Sequence, residues 1–273
     1  MKSKLEEFVI WMKQAERSSL TIAKYQRDVT AFLIWADRRE LDKELVIEWK
    51  QHLIEQGYKP RSINSILAAA NAYMRFLGRT DCLIQALRLQ RQVYSSAERE
   101  LTRKEYIRLL EAAKPHPRLY LLLQTICSTG IRVSELQYFT VEAVTAGEIV
   151  VSCKKKTRYI LLPAELRKKL LRYAEQKGYQ SGAIFRTRND RPLDRSHIWA
   201  EMKQLAAEAH VAAQKIFPHN LRKLFARAFY NVSRDIAKLA DVLGHSSVET
   251  TRIYIMTTGK EHQRQLERLC LLV

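Results

Sequence analysis

Residues 217–255 read FPHNLRKLFARAFYNVSRDIAKLADVLGHSSVETTRIYI, and this stretch decides how the rest of the chain is read. No proline follows Pro218, a residue suited to the first position of a helix, so a helix is predicted from there with His219 and Arg222 three apart on one face. The apolar run Ile236, Ala237, Leu239, Ala240 and Leu243 has helical spacing, and Gly244 supplies a left-handed stop. His245 is therefore expected in a turn behind a rigid element. Ser246 with Glu249 three residues on has the pattern of a capping box, which would start a short helix carrying Tyr254 near its end. Two histidines, an arginine and a tyrosine are thus presented by helix ends.

Charge suggests what such a set can do. A guanidinium is a permanent cation that forks onto phosphate oxygens, an imidazole exchanges a proton near neutral pH, and a phenol can act as a nucleophile. Together they suit attack on a phosphodiester. At an unperturbed pKa of about 10, on the order of one tyrosine in a thousand is phenolate at pH 7, so cationic neighbours have to supply the activation.

The whole chain agrees with a polyanionic partner. Lys and Arg number 47 against 29 Asp and Glu, a net charge of +18, and the pI is near 9.9. Nucleic acid is the first choice. A membrane surface is the competitor, but no apolar run reaches spanning length and the N-terminus lacks a signal peptide's apolar core, so no membrane partner and a cytoplasmic, nucleoid-associated location are expected. Cys82, Cys127, Cys153 and Cys270 are scattered without CxxC pairs. Reduced thiols are expected, with no metal site and no cofactor.

Length and pattern predict a mainly α chain of two domains with one small β-hairpin. Helices are expected over residues 5–12, 20–36 (Leu20, Ala23, Val29, Phe32, Leu33 and Ala36 inward, Lys24 and Arg27 nearer the exposed side), 41–56 and 60–78. The last of these opens at Pro60 and shows Lys59, Arg61, Ser62, Asn64 and Ser65 in its first turns, a basic and small-polar set that suits a DNA groove or a solvated helix start. Residues 88–99 lose the apolar period and read as a linker between a domain at 1–87 and another at 100–273. There Thr102 and Glu105 form a capping box, with Leu101 and Tyr106 spaced as a hydrophobic staple. Residues 119–126 read as a buried helix leading to a turn that delivers Arg132, with Glu135 placed to orient it. Residues 148–153 and 158–162 are β-rich around a lysine-rich turn.

Four segments in order, TGIRVSEL (Thr129 to Leu136), HNLR (His219 to Arg222), LGHSS (Leu243 to Ser247) and TTRIY (Thr250 to Tyr254), resemble the successive active-site boxes of the tyrosine recombinase, or phage integrase, family. The resemblance covers nearly the whole chain and is similar to a compact, Xer-like member without an arm-binding domain. It implies a helical, SAM-like core-binding domain and a catalytic domain forming a clamp around DNA, with a catalytic set of Arg132, Lys154, His219, Arg222, His245 and Tyr254. In that set the arginines grip the scissile phosphate and both histidines add hydrogen bonds. Tyr254 attacks phosphorus to give a covalent 3′-phosphotyrosyl link. Lys154 protonates the leaving 5′ oxygen.

The hairpin departs from the family's GKGxKxR pattern, reading CKKKTR without glycines and one residue shorter; aligned from either end, Lys154 remains the acid. Lys155, Lys156 and Arg158 join Lys24, Arg27, Lys59, Arg61, Ser62 and Asn64 as expected DNA contacts. Beyond Gly259, Leu266, Leu269, Cys270 and Val273 recur at i, i+3, i+4 and i+7, a stripe that needs a partner. It either packs on its own domain or, as the family does in its homotetrameric synapse, exchanges into a neighbouring protomer on a double-stranded recombination site, with an accessory or partner recombinase as a further expectation. Two other functions stay in view: a type IB topoisomerase-like relaxing enzyme, and a DNA-binding regulator that does not cut. A metal nuclease fits less well because no carboxylate cluster stands out.

Overall fold

The computed structural model describes residues 2–89, 97–153, 156–187, 189, 191–256, 263 and 266–269. It divides into two compact units, Met1–Arg91 and Gln92–Val273.

The first unit is four helices, α1 (Lys2–Gln14), α2 (Ser19–Ala36), α3 (Lys43–Glu55) and α4 (Pro60–Phe76). Their starts follow from local chemistry. The Ser18 hydroxyl accepts from the Thr21 amide at 3.3 Å, and the Asp42 carboxylate accepts from the Leu45 amide at 2.7 Å. Phe8, Val29, Phe32, Val46, Leu67 and Met74 fill the core.

The stripe of α2 buries Val29, Phe32, Leu33 and Ala36 as expected and differs only at its start. Ile22 is buried, whereas Leu20 is 83% exposed and Ala23 is exposed too. Two overlapping helical registers were available in SLTIA, and Ile22 rather than Leu20 lies in phase with Val29, Leu33 and Ala36. Lys24 is likewise not a free surface cation: it pairs with the buried Asp28 and donates to the Ser65 carbonyl at 3.2 Å, tying α2 to α4.

Asn64 differs from expectation in the same way. Its Nδ2 donates to the Leu87 carbonyl at 2.9 Å and its Oδ1 accepts from the Leu87 amide at 2.7 Å. Asn71, two turns along the same face, repeats the clasp on Ile84. Side-chain amides have the donor and acceptor of a peptide group, so α4 holds the segment that leaves the unit as a neighbouring strand would.

In the second unit, α5 (Arg103–Ala113) starts at the expected capping box, with the Thr102 amide donating to Glu105 at 2.8 Å. Helix α6 (Pro117–Thr129) is the core element, burying Leu119, Leu121, Leu122, Leu123 and Ile126. A 3-10 turn (Val133–Tyr138), α7 (Val141–Ala146), the antiparallel pair β1 (Glu148–Cys153) and β2 (Lys156–Leu161), α8 (Ala164–Gln176) and α9 (Arg195–Gln204) follow. Val151 faces Arg158 across the hairpin. Then come α10 (Pro218–Ser233), α11 (Ile236–Leu243) and α12 (Val248–Ile255), with α10 lying against α6.

The break between α10 and α11 falls where Arg234 takes a left-handed conformation and Asp235 caps the next helix. Helix α12 is capped by Ser247, whose hydroxyl accepts from the Glu249 amide at 3.2 Å, and not by Ser246. The capping side chain is therefore one residue later than the spacing suggested. No helix among the described residues is long and apolar enough to cross a membrane.

Candidate active site

The site is assembled where α6, α10, α11 and α12 meet. Helix α6 ends at Gly130, whose φ of +64° only glycine adopts freely, and an added Cβ would lie 2.2 Å from a Phe225 ring carbon. Glycine is required there twice over, by conformation and by space. The turn delivers Arg132. As expected, Glu135 orients it: Nη1 donates to Oε1 at 2.9 Å, and the Arg132 amide donates to Oε2 at 2.7 Å. Arg132 Nη2 also donates to the Gly244 carbonyl at 3.0 Å, and the side chain remains 44% exposed.

Glu135 is buried and serves a second guanidinium. Arg158 pairs with its Oε2 and donates through Nη1 to the Val242 carbonyl at 2.6 Å. Arg158, expected as a DNA contact, is here an internal brace between the hairpin, Glu135 and the end of α11. Gly244 makes room for it, since a Cβ there would meet Arg158 Cδ at 2.5 Å, with φ at +63°.

Arg222 on α10 is 2% exposed. It donates to the Gly130 carbonyl, to the Leu243 carbonyl at 2.7 Å, and from Nη2 to His245 Nε2 at 3.0 Å. A guanidinium has about five N–H donors. Three are used here, the carbonyl cradle fixes the plane, and Nε is buried with no hydrogen-bond partner among the described residues. Burial first, and then Arg132, push its pKa down to about 10, which leaves it charged at pH 7.

Tyr254, on α12, is 9% exposed and enclosed by the other members of the set. Its ring meets His219 edge-on at 5.0 Å and His245 at 4.9 Å, with the Arg222 guanidinium carbon 5.8 Å from its centre. His219 stacks in turn on Phe217. Desolvation and nearby cations, Lys223 and Arg222 for His219 and Arg222 and Arg132 for His245, lower both imidazoles to about 4. Both rings are neutral at pH 7. Arg132, His219, Arg222 and Tyr254 share one cavity of 360 Å³, walled also by Ile131, Arg195, Trp199 and Phe217.

Five of the six expected site residues are therefore brought together, with Tyr254 beside Arg222 and lining the same cavity as Arg132 in its own chain. Lys154 and Lys155 lie outside the described residues; Lys156 is on β2, and its side chain is outside them as well. Lys59, Arg61 and Ser62 are exposed at the start of α4, and Arg27 is 74% exposed beside Asp28. Three participants escaped the sequence reading. Trp199 and Arg195 line the cavity from a helix that carries no motif, and Thr251, fully buried, bonds His245. Thr251 alone left a trace, lying three residues before Tyr254 and so on the same helical face.

Comparison with known proteins agrees with this geometry. Residues 99–261 match the phage integrase family, and residues 5–81 match the phage integrase N-terminal SAM-like domain. The chain belongs to the phage integrase family. The tyrosine recombinase XerA of Thermococcus kodakarensis is 31% identical over 278 residues, covering 98% of this chain and 95% of the relative. Tyrosine recombinase XerD of Vibrio cholerae is 26% identical, covering 92% of this chain and 90% of its own. Among solved structures, a lambda integrase dimer bound to a COC' core site superposes with a TM-score of 0.75 at 18% identity, covering 95% of this chain and 96% of that one, which shows a shared fold. This phage integrase relative is a site-specific tyrosine recombinase, an enzyme that cleaves and rejoins DNA strands.

Proposed function

We propose that the chain acts on double-stranded DNA through the cavity around Tyr254. Arg132 and Arg222 grip the non-bridging oxygens of the scissile phosphate and neutralise the charge that grows in the pentacoordinate transition state. The observation that carries this reading is the enclosure of Tyr254 by His219, His245 and Arg222 within one chain. The phenol oxygen attacks phosphorus, forming an O–P bond as the bond from phosphorus to the 5′ oxygen breaks. His219 takes the phenolic proton; the phosphate's negative charge favours its protonated form by offsetting the cations that hold it neutral. Lys154 protonates the departing 5′ oxygen by the family resemblance. A 5′ hydroxyl from a partner strand then attacks the phosphotyrosyl link and restores the phosphodiester, so the reaction conserves the bond and needs no nucleotide cofactor.

The same reading assigns Lys59, Arg61, Ser62 and Arg27 to backbone contacts. It also places the chain in an oligomeric synapse, a tetramer joined by its C-terminal segment, where Leu266 and Leu269 are 55% and 57% exposed.

The test uses nicked suicide duplexes, selected from a randomised pool for binding to the full chain. Cleavage next to the nick releases a short 5′ fragment and traps the enzyme on a 3′ end. The native chain should give this adduct, and Tyr254→Phe should give none while binding DNA within a few-fold. An adduct formed by Tyr254→Phe would move the nucleophile elsewhere and overturn the reading.

A further inference from the structure

The hairpin carries a cation into the interior that no step of the proposed reaction uses. Side chains alternate along β2, and the buried Ile160 fixes which face is inward. Arg158 lies on that face, opposite Val151, with its side chain 15% exposed. An arginine cannot shed its charge there, so it requires an anion. Glu135 is that anion, and it already holds Arg132 through Oε1 at 2.9 Å and through the Arg132 amide. The two guanidiniums also reach carbonyls around one turn, Arg158 that of Val242 at 2.6 Å and Arg132 that of Gly244 at 3.0 Å.

The sum of the charges matters as much as the bonds. The Glu135 side chain is 6% exposed, so water screens it little, and facing Arg132 alone it would cancel the charge that Arg132 can offer a ligand. With Arg158 on the same carboxylate, two cations share one anion and the group keeps a positive charge. Arg132 is the member that can present it, because it is half-exposed and lines the cavity.

We propose that Arg158 is a positioning residue for strand cleavage: by neutralising Glu135 from the interior, it lets that carboxylate orient Arg132 without cancelling the charge Arg132 turns to the scissile phosphate. This inference rests on the reading that Arg132 grips that phosphate.

The experiment compares four full-length chains on the nicked duplexes: native, Arg158→Met, Arg158→Lys, and Arg158→Met combined with Glu135→Gln. Methionine fills much of the space and removes the charge, while lysine keeps the charge and loses the fork. Arg158→Met should form the covalent adduct about 30-fold more slowly, less than the loss of about 10²–10³-fold for a donor that touches the reacting group itself. Arg158→Lys should stay within about fivefold of native, because the charge and not the fork is what counts. The double variant should be about tenfold faster than Arg158→Met alone, since a neutral amide no longer cancels Arg132. A side chain that only held the hairpin in place would not be rescued by a second change in the interior. DNA binding within about threefold of native reports that each chain is folded, affinity being spread over many phosphate contacts. The lysine chain keeps Glu135 paired and gives the answer where the methionine chain is too unstable to assay.

A lysine chain 30-fold slower than native, or a double variant no faster than Arg158→Met, overturns the proposal. So does full recovery of Arg158→Met on a duplex with sulfur in place of the leaving 5′ oxygen, because sulfur departs without a proton and the defect would then lie at the general acid. A native chain that forms no adduct at all would overturn the cleavage reading, and this inference with it.

Discussion

The two units bury different things. In the four-helix unit the only buried charged or polar residue among those described is Asp28, and the core of Phe8, Phe32, Trp49 and Met74 is apolar. In the catalytic unit Glu135, Arg222 and Thr251 are buried among the residues of the site. Burying a polar group costs about 1–3 kcal/mol unless its partners are in place, so a unit that buries three at one site has to place all their partners at once. The first unit rests on shape and periodicity, with the Lys24–Asp28 pair and the Asn64 and Asn71 clasps added to them. The second is built to hold guanidiniums at defined angles. Variants that separate these two designs sharpen the contrast, and the largest effects belong to the arginines.

Arg132 and Arg222 should look alike in rate and unlike in stability. Removing either should slow adduct formation by about 10²–10³-fold, the loss measured for a single oxyanion donor elsewhere. Arg132→Ala should leave the fold nearly untouched, since its side chain is 44% exposed and Glu135 keeps Arg158 as a partner. Arg222→Ala should cost in addition about 2–4 kcal/mol in urea denaturation, because the carbonyls of Gly130 and Leu243 lose their donor inside the protein. Equal stability losses for the two would mean that the cradle is not rigid.

A second contrast separates glycines of like conformation. Gly57 in the first unit and Gly130 in the second have φ of +71° and +64°, yet an added Cβ meets nothing within 4 Å at Gly57 and a ring carbon at 2.2 Å at Gly130. Gly57→Ala should cost about 1–2 kcal/mol, the left-handed penalty alone. Gly130→Ala should exceed it by about 1–3 kcal/mol of overpacking against Phe225 and should also slow cleavage, because its carbonyl is a ligand of Arg222. Thermal unfolding of the two single variants decides this; the same Tm shift in both would show that Phe225 simply moves aside.

These contrasts also mark what the residue pattern could and could not disclose. Gly130, Gly244, Pro218 and the Thr102–Glu105 box were legible because each is a local rule, a conformation or a cap decided within four residues. Glu135 beside Arg132 was legible for the same reason. Leu20 was misplaced because SLTIA satisfies two helical registers and only the packing of α2 selects one. The internal bonds of Arg158 and Asn64 were not legible for a deeper reason: a cation or an amide near a binding surface looks the same in sequence whether it faces a ligand or braces a carbonyl far along the chain. Arg158 finds Val242, 84 residues on, and Asn64 finds Leu87. Thr251 left only its helical spacing from Tyr254 as a trace, because its bond to His245 is made across the turn between two helices.

The smallest expected effects test that ambiguity directly, on one helix. Asn64 and Arg61 both sit in the first turns of α4, and both were expected at DNA. If Asn64 is a clasp, Asn64→Ala should lower stability by about 1–3 kcal/mol through the two lost bonds to Leu87, yet leave DNA affinity and its salt dependence unchanged at temperatures where the chain is folded. Arg61 is exposed, so Arg61→Ala should do the reverse: no change in urea midpoint, but weaker binding across sequences and a slope of log affinity against log salt reduced by about 1. The slope is the discriminating quantity, because it counts released counterions and ignores folding. A reduced slope for Asn64→Ala would mean that the amide, despite its grip on Leu87, also governs how the start of α4 meets the phosphates.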